Sequence, residues 1–190
     1  MTMRFTVRQW IPAGVATVAR LVDSPAAVAW LMAPLLTLRP VDGVWRERFR
    51  PGANRFHVRL LGVLPVGEQV IDVSWPAAGD SPTGPRHVLL DTGGNFLTRR
   101  YLHRISVIGA ADGDGCWCID DSDVDAGLLT PLAVVGFWCV DRVVAARWRR
   151  LLSLLPAAAL RDARPGGAVV ESPAPQTEDA VGAAPPCHEP

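Results

Sequence analysis

The segment from Arg99 to Asp125, "RRYLHRISVIGAADGDGCWCIDDSDVD", gathers the side chains best suited to chemistry. Its Gly- and Asp-rich middle, "GAADGDG", reads as a turn between two strands. With Ile108 opposite Cys116, cross-strand partners sum to a constant. Val107 then faces Trp117, Ile105 faces Ile119, His103 faces Asp121, Tyr101 faces Asp123 and Arg99 faces Asp125. That face grades from apolar to charged, as the wall of a small-molecule pocket does. A carboxylate beside an imidazole favours the charged imidazole, so His103 with Asp121 is a candidate acid/base pair near neutral pH. The competing account is a cross-strand pair that merely satisfies itself, because catalysis also needs a positioned substrate. On the opposite face, Arg104 against Asp120 reads as a solvent-side ion pair worth little.

Other chemical motifs fall away on inspection. "DDSDVD" opens like a calcium loop but lacks the turn glycine and the distal bidentate Glu, and it falls on an expected strand. Cys116, Cys118, Cys139 and Cys187 match neither a structural zinc spacing nor a dense disulfide framework, so packing is the stronger account of the thiols. Gly93 and Gly94 precede a strand rather than a helix, which removes a phosphate-cradling loop. No metal site and no cofactor are expected.

Composition narrows the class further. In 190 residues, 49% hydrophobic and 20% charged, 19 basic and 19 acidic residues leave no net charge, which argues against a nucleic-acid binder or a global pull towards anionic lipid. Every basic side chain is Arg. Arg4 and Arg8 precede an apolar run, as in a signal peptide, but Phe5 and Val7 alternate with polar residues and Pro12 interrupts the run. A strand in a cytoplasmic protein is the expectation.

The elements that would position these residues follow from periodicity. "RFTVRQW" reads as a first strand, and "AGVATVARLV" and "SPAAVAWLM" as two short helices, the second capped by Ser24 with Pro25 at its first position. Strand patterns follow at "LLTLR", "VWRERF", "RFHVRLLG", "EQVIDVSW", "HVLLDTG", "FLTRRYLHRISVIG" and "CWCIDDSDV". A long helix then runs from Leu128 to Leu155. Its uncharged part, about sixteen residues before Asp141, falls short of the roughly twenty needed to cross a bilayer, so no membrane span is expected. Helical phase puts Ala133, Phe137, Val140, Val144, Trp148, Leu151 and Leu155 on one stripe, with Arg142, Arg149 and Ser153 opposite. In the front half the other side is apolar too, and packing against the two short helices would cover it. Beyond residue 155 the chain is Pro-, Ala- and Gly-rich without an aromatic, so the domain is read as 1–155 and 156–190 as a disordered tail.

Strand, two helices, a run of antiparallel strands and a terminal helix make an α+β layer architecture. In that order, and in "DTGGNFLTRRYLHRISV" and "DDSDVDAGLLTPL", the sequence resembles the START-like, helix-grip superfamily that includes Bet v 1-type and polyketide cyclase-like proteins. The resemblance implies a curved sheet of about seven strands wrapped around the C-terminal helix, with a cavity for an apolar molecule. Alternation adds Phe56, Val58, Ile71, Val73 and Trp75 to the walls, alongside Tyr101, His103, Ile105, Val107, Trp117 and Ile119; the helix adds Phe137, Val140 and Val144. Three functions compete: a soluble binding protein for a small apolar ligand, a cyclase- or hydratase-type enzyme using His103 with Asp121, and an interaction module whose apolar front helix docks an unidentified protein partner.

Overall fold

The computed structural model describes residues 1–77, 86–95, 98–110 and 115–155. The expected tail and the centre of the "GAADGDG" turn lie outside these residues. Strand β1 (Met3–Ile11) leads through α1 (Val15–Val22) and α2 (Pro25–Met32) to β2 (Leu36–Pro40). There follow β3 (Gly52–Leu60), β4 (Leu64–Ser74), β5 (Arg86–Asp91), the two-residue β6 (Gly94–Asn95), β7 (Arg100–Gly109), β8 (Cys116–Asp125) and α3 (Thr130–Leu154). Seven strands run β1-β8-β7-β5-β4-β3-β2, and β6 pairs with β4 to bring the sheet to eight. Every pairing is antiparallel. The two short helices carry the chain from one edge strand to the other, and the long helix lies on the same sheet. This is the expected helix-grip α+β architecture.

Local chemistry explains several boundaries. The Ser24 hydroxyl accepts from the Ala27 N–H at 3.5 Å, with Pro25 occupying the first turn where no N–H is needed. At the start of α3 the chain turns at Gly127, whose φ of +63° suits glycine and where a Cβ would lie 3.0 Å from the Arg99 guanidinium. Buried Thr130 then accepts from the Ala126 N–H and donates to the Gly127 carbonyl, which ties the turn to the first helical residue. The amino-terminal segment is strand, with Val7 and Ile11 buried and Arg4 and Arg8 exposed along the edge.

"VWRERF" is not a strand. Val44 N–H and the Arg46 guanidinium both bond the Asp42 carboxylate, folding the segment on itself, and the Phe49 N–H goes to the Asp23 carbonyl instead of a ladder.

The β7–β8 register differs from the expected one by a single residue. Gly109, not Ile108, stands opposite Cys116, so His103 faces Ser122, Ile105 faces Asp120 and Arg104 faces Asp121. A one-residue slip turns every side chain of one strand to the other face. Cys116, Cys118, Asp120, Ser122 and Val124 are therefore the buried set of β8, and Trp117, Ile119, Asp121, Asp123 and Asp125 point outward. The small thiols fit under the back half of α3 in one core cluster with Trp148, Leu151 and Leu152. Trp117 instead packs edge-to-face on Trp10 of β1, ring centroids 5.4 Å apart, on the outer surface.

The phase of α3 agrees with the periodicity. Val140, Trp148 and Leu151 are buried, while Arg142, Arg149 and Ser153 are exposed. Its front half differs from expectation, because α2 packs on α3 without covering Leu128, Leu132, Val135 or Trp138. By length and composition Gly127–Leu154 is apolar enough to cross a bilayer: an 18-residue window has a mean hydropathy of 1.6, and only 11% of it is buried. The uncharged run of about sixteen residues before Asp141 falls short by itself, whereas the helix as a whole is long enough. The other side of the same helix belongs to the domain core, against β1, β8 and α2.

Candidate functional site

Between the concave face of the sheet and the front half of α3 lies a cavity of about 520 Å³. Its wall is built by alternation on the strands: Val58 on β3, Ile71 on β4, Leu89 on β5, then Tyr101 and Ile105 on β7. Val28 and Met32 of α2 close one side, and Phe137 and Val140 of α3 form the roof. Tyr101 stacks on Phe137 with ring centroids 5.0 Å apart, so sheet and helix meet through one aromatic contact.

One region of this apolar chamber is charged. His103 Nε2 hydrogen-bonds Asp120 Oδ1, and both side chains are largely buried. Asp91 lies directly across the β5–β7 ladder from His103 and is itself buried. Its Oδ1 accepts from the Asp72 and Gly93 N–H groups, both at 2.8 Å. From the helix, Asp141 completes the group one residue after Val140, with its Oδ2 buried and unpaired among the described residues.

The electrostatics follow from this crowding. Burial by itself would lower the His103 pKa, but the charge and hydrogen bond of Asp120, with Asp141 and Asp91 further away, raise it to about 9. The imidazole is thus a cation at neutral pH. Burial, then repulsion from Asp120, pushes Asp141 up to about 7 against the attraction of His103. Burial also raises Asp91 despite its two backbone hydrogen bonds. Tyr101 is pushed well above its ordinary value by burial and by the carboxylates Asp91, Asp141 and Asp120, so it stays neutral and hydrogen-bonds with Ser122. One imidazolium therefore faces three carboxyl groups, one of which exchanges its proton near neutral pH.

Of the residues singled out in the sequence, Tyr101, His103, Ile105, Val58, Ile71, Phe137 and Val140 line this cavity. Val73 and Val107 also point inward but are sealed into the core, and Val144 packs on that core. Phe56 lies against Trp45 and Phe49 beside a smaller pocket of about 230 Å³. Trp75 is held away by its indole N–H bond to Asp23, 2.8 Å, and by Arg48 stacked over its ring. Trp117, Ile119 and Asp121 are on the outer face, where Asp121 accepts from the Thr6 hydroxyl at 2.6 Å. The partner of His103 is Asp120, not Asp121.

Asp120, expected in a solvent-side ion pair with Arg104, is instead buried and bonded to His103, while Arg104 stands opposite Asp121. Asp91 and Asp141 are not among the candidate site residues read from the sequence. Asp141 carried a signal, being an acid four residues after Phe137 and therefore on the inward side of an otherwise apolar helix. Asp91 shares the parity of Leu89 and so its face. Among the described residues no group of three or more His, Cys, Asp or Glu side chains is arranged to hold a metal ion. Burial raises the thiols of Cys116, to about 12, and of Cys118, so neither supplies a ready thiolate.

No protein-family model and no curated protein matches the sequence. Solved structures do match in fold. Ms6760 from Mycobacterium smegmatis superposes with a TM-score of 0.56 at 13% identity, over 80% of this chain and 92% of that one. Norcoclaurine synthase from Thalictrum flavum, solved with dopamine and hydroxybenzaldehyde, gives 0.51 at 11% identity over 82% and 90%. Ara h 8.0201 gives 0.51 at 12% identity over 80% and 99%. With a curved antiparallel sheet, two short helices after the first strand and a long carboxy-terminal helix, the chain has the helix-grip fold of the Bet v 1-type, START-like proteins.

Proposed function

We propose that this protein binds a small, mostly apolar molecule in the cavity beneath α3, with the molecule's polar end at His103, Asp91 and Asp141. The observation that carries the reading is the cavity itself, about 520 Å³ with mostly aliphatic and aromatic walls and a cluster of charged groups, His103, Asp91 and Asp141, on its lining. Small-molecule pockets span roughly 300–1,000 Å³ and combine apolar walls with a few convergent polar groups in this way. The excess of carboxyl groups over imidazole favours a ligand that brings a hydrogen-bond donor or a positive charge to that end.

The reading is tested by fluorescence titration with the neutral apolar probe N-phenyl-1-naphthylamine. Saturable one-to-one binding is expected, weakened tenfold or more by Ala133→Phe, which fills the chamber from the helix side while circular dichroism stays unchanged. Non-saturable binding, or binding indifferent to the filled cavity, would overturn it.

A second reading, acid/base catalysis on the bound molecule, is favoured by one observation: Asp141 lines the cavity with an Oδ2 that is buried and unpaired among the described residues, and that burial raises its pKa to about 7. In this reading Asp141 gives or takes the proton, and His103 holds the substrate's oxygen as a fixed donor. Asp141→Asn would then retain ligand and lose turnover.

A further inference from the structure

The exposed residues of the cavity lining mark where it meets solvent. They are Gly67 on β4, Leu129 just before α3, and Leu132, Gly136 and Cys139 on α3, so a mouth lies between the start of β4 and the front of the helix. Both sides of that mouth expose apolar side chains. On the sheet side, the β3–β4 turn presents Leu61 at 63% exposure and Val63 at 77%. On the helix side, Leu128 is 99% exposed and Leu132 71%. Neither rim, residues 60–67 or 126–140, contains a charged residue. Leu61 also holds a φ of +50°, a conformation that glycine or asparagine adopts at little cost and leucine does not. A costly backbone conformation that holds a leucine out in water calls for something to cover it.

The exposed side of α3 has an order along its axis. Leu132 and Val135 come first, Trp138 next, and then Arg142, whose guanidinium lies over the Trp138 ring at 5.7 Å. At about 1.5 Å per residue, Arg142 sits roughly 15 Å beyond Leu132, with the indole between. Aliphatic tip, interfacial Trp and basic collar follow the polarity profile of a lipid monolayer, from acyl chain through the headgroup boundary to phosphate. The zero net charge of the chain does not oppose this, because no acid lies on either rim; of the acids that flank them, Glu68 is paired with Arg55, Asp125 with the terminal amino group of Met1, and Asp141 lines the cavity.

We propose that the two apolar rims dock the cavity mouth on the surface of a phospholipid bilayer, with Leu61, Val63, Leu128 and Leu132 in the acyl boundary and Arg142 at the lipid phosphates. Two separate points around an opening suit a fluid lipid surface, which needs no matching contour, better than a flat self-complementary interface with a second copy. An apolar molecule then passes between bilayer and cavity without crossing water.

Sedimentation of the full chain with sucrose-loaded vesicles tests this, using phosphatidylcholine alone and with added phosphatidylglycerol. The protein is expected to partition onto vesicles, more strongly with phosphatidylglycerol. Leu61→Asp and Leu128→Asp, neither of which lines the cavity, should each lower partitioning tenfold or more, about the loss for keeping one leucine out of an apolar phase. Arg142→Glu should remove the phosphatidylglycerol-dependent part, and Leu154→Asp, exposed at the far end of α3, should change nothing. Probe binding in vesicle-free solution should survive Leu61→Asp and Leu128→Asp, which separates a failure of docking from a failure of the cavity reading. Absence of partitioning onto either vesicle, or partitioning indifferent to both rim variants, would overturn the proposal. So would a dimer in size-exclusion chromatography that Leu128→Asp dissociates.

Discussion

His103 stands opposite Ser122 across the β7–β8 ladder yet bonds Asp120, the neighbour two residues away on the same face of β8. Asp121, adjacent in sequence, faces outward to Thr6. The pairing makes the imidazole a cation inside an apolar chamber, so the two aspartates should differ sharply in their hold on it. In an NMR titration of the His103 ring, Asp120→Asn is expected to lower the pKa from about 9 towards or below the ordinary histidine value, because burial then acts with less opposition. Asp121→Asn should leave it nearly unchanged. Equal effects would mean that the register is wrong.

The same cluster fixes a sign for stability against pH. Asp141 and His103 both have folded-state pKa values raised above those of the unfolded chain, to about 7 and about 9. The folded protein therefore binds more protons than the unfolded one between pH 4 and 9, and stability falls as pH rises through that window. Asp91, also raised, adds to the fall at its acidic end, whereas Asp23, lowered despite its burial by the His87 and Trp75 hydrogen bonds, acts only below its ordinary range. Urea denaturation across this range should show the decline, and Asp141→Asn should flatten it between pH 4 and 7 and raise stability at neutrality. A wild-type stability that climbed from pH 4 to 7 would contradict the charge assignment.

Much of the fold was legible in the sequence because the helix signal is redundant. Trp148 falls on a stripe with Val140, Val144 and Leu151, and no other phase puts Arg142 and Arg149 together in water. The site was less legible. Along β8 both parities contain apolar residues, Cys116, Cys118 and Val124 on one and Trp117 and Ile119 on the other. Alternation alone therefore does not choose a face, and the choice rests on how the turn closes. The larger pair has the size of a cavity wall, but the observed register, with Gly109 opposite Cys116, turns the thiols inward. Asp91 and Asp141 carry little sequence signal because carboxyl groups are ordinarily exposed, and their burial depends on tertiary partners: the Asp72 and Gly93 N–H groups for Asp91 and the nearby His103 charge for Asp141.

Trp148 offers a direct check of helical phase. Trp148→Ala should cost about 3–5 kcal/mol in chemical denaturation, the range for truncating a large core aromatic. Arg149→Ala, on the exposed side, should stay within about 0.5 kcal/mol. Comparable costs would place the stripe elsewhere.

Asp23 is expected to be a structural anchor outside the ligand site. Its carboxylate receives the Trp75 indole N–H at 2.8 Å, the His87 imidazole at 3.0 Å and Arg48 at 2.7 Å. Asp23→Ala leaves buried donors unpaired and should lower stability by about 2–4 kcal/mol while probe affinity in the surviving folded protein changes little. A large loss of affinity at full stability would move Asp23 into the binding site.

The most direct test of ligand binding under α3 is a methyl NMR titration with the neutral apolar probe. The methyl groups of Val58, Ile71, Leu89, Ile105 and Val140, which line the cavity, should shift together and saturate at one equivalent. Val73 and Val107, sealed in the core, and Ile119, on the outer face, should stay close to their starting positions. Shifts confined to exposed Leu128 and Leu154, or growing without saturation while Ile71 and Ile105 stay still, would contradict a ligand-binding cavity in this protein.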